Sequence, residues 1–200
     1  MRRILIAAAA LAALTSSVSA KDYEIDAAHT QVGFKATHVV GKVPGRFTKF
    51  SGAFTYDPKN PKAWTAHATI DAASINTDVE QRDKHLRSAD FFDVDKCPTI
   101  EFKSTKVAGV KKDHAKLFGD LTMHCVTKPI VLDVEIDGTG QDPWGNDSAS
   151  FTATATVDRK DWGISWNKTL DSGGVLVGDK VGIILEVTGN AKKADDAAKK

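Results

Sequence analysis

Apolar and polar residues alternate with a period of two along most of this chain, the pattern of strands that bury one face. Between 130 and 137, Ile130, Leu132, Val134 and Ile136 fall on one face, with Asp133, Glu135 and Asp137 on the other. Between 149 and 157, Ala149, Phe151, Ala153, Ala155 and Val157 alternate with Ser150, Thr152, Thr154 and Thr156. Shorter runs follow the same rule: Val32, Phe34, Ala36; then Trp64, Ala66, Ala68, Ile70; then Ile100 and Phe102. Leu117, Gly119, Leu121 and Met123, and finally Val181, Ile183, Leu185 and Val187, complete the set. A strand over 46–56 is bent where Phe47 and Phe50 break the parity. About eight strands emerge from this pattern, with no βαβ rhythm, which predicts an all-β antiparallel barrel or sandwich.

One segment departs from the alternation. Thr77-Asp-Val-Glu80 has the spacing of a capping box, which predicts a short helical insert near residues 77–90. Val79 and Leu86 lie two turns apart, on one face of that helix. The charged turn from Arg82 to Asp90 runs into Phe91 and Phe92, and Pro98 marks the entry to the next strand. As a plain crossover the segment plugs one end of the core; as a functional element, Arg82, His85, Leu86, Phe91 and Phe92 rim an opening.

The inner faces mix small residues (Ala36, Ala66, Ala68, Gly119, Ala153, Ala155) with Phe34, Trp64, Phe102 and Phe151. An eight-stranded barrel is just wide enough to be filled by side chains or to hold one small ligand. Ala opposing Phe across two flat sheets satisfies the same pattern, because alternation does not report curvature. His38 shares parity with Phe34 and is expected inward, either as a polar contact for a ligand or as a structural histidine with its own partner.

Composition narrows the class. Arg2 and Arg3 precede an apolar run from Ile4 to Leu14, then Val18-Ser19-Ala20, the layout of a cleaved secretory signal over residues 1–20. The run is too short to span a bilayer as an anchor. Cleavage there leaves 180 of the 200 residues, enough for one domain over 21–190, with 25 basic residues against 26 acidic. A near-neutral, interspersed charge excludes a nucleic-acid footprint. Residues 191–200 hold no large apolar side chain and are expected to be a charged, disordered tail.

The ordered set Asp26-x-x-His29-Thr30, Phe34-Lys-Ala-Thr-His38, Gly45-Arg-Phe47-x-x-Phe50-Ser-Gly52, Arg82-Asp83-x-His85-Leu86-x-Ser88-x-Asp90-Phe91-Phe92, Pro98-x-Ile100-x-Phe102-x-Ser104, Gly119-x-Leu121-Thr122, Val126-Thr127-Lys128-Pro129 and Arg159-Lys-Asp-Trp-Gly163 resembles the YceI-like family of periplasmic, lipocalin-like proteins. The resemblance covers nearly all of 21–190. It implies an extended eight-stranded antiparallel barrel around an apolar tunnel, and a long-chain isoprenoid, quinone-type lipid or similar amphiphile as cargo. It further implies an exported carrier or storage protein of the periplasm, with a bound lipid but no required cofactor or metal. The expected lining is Phe34, His38, Phe47, Trp64, Ala68, Ile70, Phe102, Leu121, Phe151 and Ala153, with Arg82, His85, Leu86, Phe91 and Phe92 at the mouth. Stable membrane insertion is not expected; pairing of edge strands into a homodimer is open.

Cys97 and Cys125 depart from the family pattern. A hairpin over 99–123, folding about 110–112, brings them within about one residue of each other, close to disulfide reach in an oxidising compartment. Two free thiols are the alternative. No nucleophile motif or metal-ligand spacing is present, so no enzyme is expected. Two other classes stay open: a lipid-modifying enzyme using Asp26 with His29 or Asp83 with His85, and a partner-binding module presenting Trp144.

Overall fold

The computed structural model describes residues 20–143, 145–171 and 173–191; the expected signal segment, Trp144 and most of the charged tail lie outside them. Eleven strands account for the alternation: β1 Lys21–Ile25, β2 Gln31–His38, β3 Gly41–Phe47, β4 Phe50–Tyr56, β5 Thr65–Asp71, β6 Ile75–Asn76, β7 Thr99–Lys111, β8 His114–Met123, β9 Val126–Gln141, β10 Asp147–Asp158 and β11 Val177–Ala191. Among the described residues one α-helix, α1, spans Glu80–Arg87.

Register reduces eleven to eight. β1 and β2 pair with the same strand, Ile25 with Gly189 and Gln31 with Glu186, so they are two halves of one bent strand. β3 follows β2 as β4 follows β1, and β6 follows β3 as β5 follows β4. With β7 to β11 these three broken strands form a closed, eight-stranded antiparallel barrel, shut where β1 meets β11. The breaks are stitched by polar side chains that satisfy the backbone leaving the ladder. Thr30 exchanges hydrogen bonds with the backbone of Thr188, and Asp26 accepts from Asn190 Nδ2. At the second break, Ser74 Oγ accepts from the amide of Lys49 and donates to the carbonyl of Asp71.

The inward and outward sets read from the alternation are those observed, including the bend between Phe47 and Phe50. Several details differ. Trp64 precedes β5 rather than belonging to it, and closes a short 3-10 turn over Pro61–Ala63. The sequence reading also missed β1, whose only apolar residues are Tyr23 and Ile25, and the Gly41–Gly45 half of β3. That half has β2 on one side only, an edge where Pro44 needs no ladder donor.

The capping box is not formed. Val79 occupies the N-cap without a side-chain bond and is 47% exposed, so it shares no buried face with Leu86. The helix start is held instead by Asp83, 4% exposed, whose Oδ1 accepts from the amide and hydroxyl of Thr77. Arg82 donates to Thr77 Oγ1 and O, and Arg87 to the carbonyls of Ala73 and Ile75. Beyond β6, residues 77–98 thus leave the wall and lie across one end. Cys97 and Cys125 are joined, with Cα atoms 5.4 Å apart, which staples the end of this segment to the β8–β9 turn. The β7–β8 hairpin pairs Phe102 with Leu121 and turns at 112–113, its register shifted twice by bulges.

Candidate functional site

The inward faces do not fill the barrel. Two apolar cavities lie end to end, lined almost wholly by carbon. The near one, beneath α1, has a volume of about 220 Å³. Its wall takes in Phe34, Phe47, Ala68, Ile70, Phe102 and Leu121, and its roof Leu86, Phe91 and Phe92. The far one, of about 130 Å³, includes Trp64, Ala68, Phe102, Phe151 and Ala153. Nine of the ten residues expected along the tunnel therefore border one or both cavities.

His38 is the exception. Its parity matches Phe34 and Ala36, but β2 ends there and the side chain is exposed. It borders a further hollow of about 150 Å³ outside the roof, with Arg82, His85, Phe91 and Trp166. Three rings pack edge to face or tilted in that hollow: His85 on Trp166 at 4.7 Å, His85 on Phe91 at 5.0 Å and Phe91 on Trp166 at 5.3 Å. Leu86 and Phe91 border both this hollow and the near cavity, so the rim and the roof are one layer thick.

Glycines make room for the lumen. A β-carbon at Gly45 would lie 2.2 Å from Phe34 Cζ, and one at Gly119 2.4 Å from Phe102 Cζ. Both rings lie against bare backbone instead of crossing the barrel, which keeps their apolar faces toward the space they enclose.

The far end is closed by aromatics from the strands themselves. Tyr23 stacks on Phe54 at 5.0 Å, Phe54 meets Phe151 at 5.3 Å, and Tyr56 contacts both Phe151 and Trp64. Burial there pushes the hydroxyls of Tyr23 and Tyr56 above the usual tyrosine range, because the phenolate would lose its hydration.

Two residues of the Arg159–Gly163 stretch build the near end, a role the sequence reading did not assign. Arg159, 4% exposed, donates to the carbonyls of Gly178, Ile164 and Trp166 and thereby ties these three positions together at the near end. Trp162 is buried, with Nε1 donating to the carbonyl of Leu121. Trp166 also went unrecognised, since no periodicity covers its loop.

The acid–base pairs resolve differently. His29 Nδ1 lies 2.8 Å from Asp26 Oδ2 on the surface, at the first strand break; the hydrogen bond with His29 holds the Asp26 carboxyl below the usual range. His85 faces Asp90 at 2.9 Å, not Asp83, whose carboxylate is committed to Thr77. Among the described residues no three His, Cys, Asp or Glu side chains gather as metal ligands, and no helix is long and apolar enough to cross a membrane.

Residues 23–189 match the YceI-like domain, almost the whole barrel. The chain belongs to the YceI-like family. A UPF0312 protein of Vibrio cholerae is 42% identical over 169 residues, covering 82% of this YceI-like chain and 89% of that protein. Another from Pseudomonas aeruginosa is 43% identical over 148 residues, covering 72% and 77%. The solved YCEI protein of Campylobacter jejuni shares 32% identity at a TM-score of 0.67, covering 84% of this chain and 96% of its own. A polyisoprenoid-binding domain from Saccharophagus degradans superposes with a TM-score of 0.61, covering 85% and 98%; at 15% identity this shows a common YceI-like fold and no more.

Proposed function

We propose that this chain is a periplasmic carrier or storage protein for a long-chain isoprenoid, quinone-type lipid or similar amphiphile held along the barrel axis. The observation that carries this reading is the pair of carbon-lined cavities placed end to end under a cover formed by Leu86, Phe91 and Phe92. Such walls offer a ligand no hydrogen bonds, so affinity rests on apolar area removed from water, at about 25 cal/mol per Å². Neither cavity alone reaches the roughly 300–1,000 Å³ usual for a drug-sized ligand; a long thin chain threading both makes the better fit. The rim of His85, Phe91, Trp166 and Arg82 supplies a polar, aromatic surround for a headgroup. Export follows from the signal-like residues 1–20, and the disulfide agrees with an oxidising destination. A protein of the same fold, from Saccharophagus degradans, is a polyisoprenoid-binding domain.

The test is organic extraction of protein purified from an exporting host, with mass spectrometry of the extract. A stoichiometric isoprenoid or quinone is the expected result. Ala153→Trp, which fills the far cavity, is expected to lower that lipid content while the protein stays folded. Lipid-free wild-type protein, or unchanged lipid in the folded variant, would overturn the reading.

A further inference from the structure

Among the described residues, Phe102 is the one aromatic ring that borders both cavities. The two share a waist of six side chains, Ile25, Ala68, Phe102, Leu132, Leu185 and Val187. Five are aliphatic and contributed by strands β1, β5, β9 and β11; the sixth is the ring. Ala68 is the direct cross-strand partner of Phe102, so the smallest member of the waist stands beside the largest. On the other side the ring lies over Gly119, where a β-carbon would come within 2.4 Å of Cζ and 2.5 Å of Cε2.

We propose that Phe102, laid down over Gly119, determines the length of chain the tunnel accepts. This rests on the lipid-binding reading above and specifies it. At about 220 Å³ the near cavity is below the volume usual for a drug-sized ligand and cannot hold a long prenyl chain by itself. A longer prenyl chain has to pass the waist to bury its tail in the far cavity. With the ring flat on glycine the passage is as wide as these residues allow; a methyl group at 119 lifts the ring off the wall and into the passage. Added bulk at 68 narrows the same point from the neighbouring strand.

The experiment is a titration of delipidated protein with geraniol, farnesol and geranylgeraniol, followed by tryptophan fluorescence, for wild type, Gly119→Ala and Ala68→Leu. In the wild type, affinity is expected to rise about tenfold or more from geraniol to farnesol, since the added unit buries more apolar area than its ordering offsets. In both variants the farnesol-to-geraniol ratio is expected to fall toward one while geraniol affinity is kept. A methyl at 119 also approaches the carbonyl of Lys103 at 2.7 Å, so Gly119→Ala is at risk of misfolding. Ala68→Leu, checked by near-ultraviolet circular dichroism, then carries the test alone. An unchanged rise with chain length in a folded variant overturns the waist and leaves lipid binding intact. Equal loss of geraniol and farnesol also overturns it, because the near cavity would then not be a separate compartment. Failure of the wild type to bind any prenyl alcohol overturns the lipid-binding reading and the waist with it.

Discussion

At its far end the barrel is closed by side chains of its own strands, whereas at the near end the cover is a separate length of chain. Tyr23, Phe54, Tyr56 and Phe151 project from β1, β4 and β10 and meet in face and edge contacts, so opening that end means opening the sheet. Residues 77–97 rest on the other end through hydrogen bonds from Arg87 to the carbonyls of Ala73 and Ile75, the apolar contacts of Leu86, Phe91 and Phe92, and one disulfide. These can be released without breaking a ladder. The difference supports the proposal that a ligand enters at the near end, and it predicts different stability classes for the two ends: global for the far one, local for the near one.

The sharpest way to break this comparison is to truncate at the far end. Phe54 is 8% exposed and packs on Tyr23 and Phe151. Phe54→Ala is expected to cost about 3–5 kcal/mol of global stability, read as a lowered denaturant midpoint. Loss of cover protection alone, with the midpoint unchanged, would show that the far end is not part of the cooperative core.

Next comes the staple. Cys97 and Cys125 close a sequence separation of 28 residues, so replacing both by Ala is expected to cost about 2–4 kcal/mol. Amide exchange should speed up over residues 86–97 more than in β7–β11. Uniform acceleration across the barrel would place the cover in the same cooperative unit as the sheet.

A smaller and more local effect is expected from Asp83→Asn. The carboxylate is buried and accepts two hydrogen bonds from Thr77; an amide keeps the shape but weakens both, for about 1–3 kcal/mol. The loss should show as faster ligand exchange and reduced protection of α1, with the thermal midpoint little changed.

These two ends were not equally legible in the chain. The wall could be read because period-two alternation is imposed directly by the pleat: Leu132, Val134 and Ile136, or Ala149 to Val157, have one way to be buried. Closure was not legible from alternation, which is blind to curvature; it came from the family resemblance. At the cover, local motifs misled. Thr77 and Glu80 have capping-box spacing, yet a tertiary arrangement gives Thr77 to Asp83 and Arg82. Parity pointed His38 inward, but the strand stops at that residue and leaves it outside. Trp166 lies on a loop whose position depends on Arg159, and a guanidinium reaching three carbonyls leaves no periodic trace.

The far end carries one further strap, and it sets the smallest effect. Lys21, at the start of β1, pairs with Asp147 at the start of β10. The hydrogen bond with Lys21 holds the Asp147 carboxyl below the usual aspartate range, and the same bond raises Lys21. A carboxyl depressed in the folded state stabilises above its unfolded pKa of about 3.9, and that contribution is lost as pH falls through the folded value. A raised lysine contributes fully below its unfolded pKa of about 10.4 and loses the contribution as pH climbs through the folded one. Between these limits neither group changes charge, so the strap should be constant from about pH 5 to 9. Both side chains are partly exposed, 48% and 34%, which limits the pair to about 0.5 kcal/mol and makes it weaken with salt. Asp147→Asn is therefore expected to lower the midpoint slightly and evenly across that plateau, and to flatten the fall in stability below pH 4. An unchanged fall in the variant would mean that other carboxylates, Asp26 beside His29 and Asp78 beside Arg46 among them, set the acid limb.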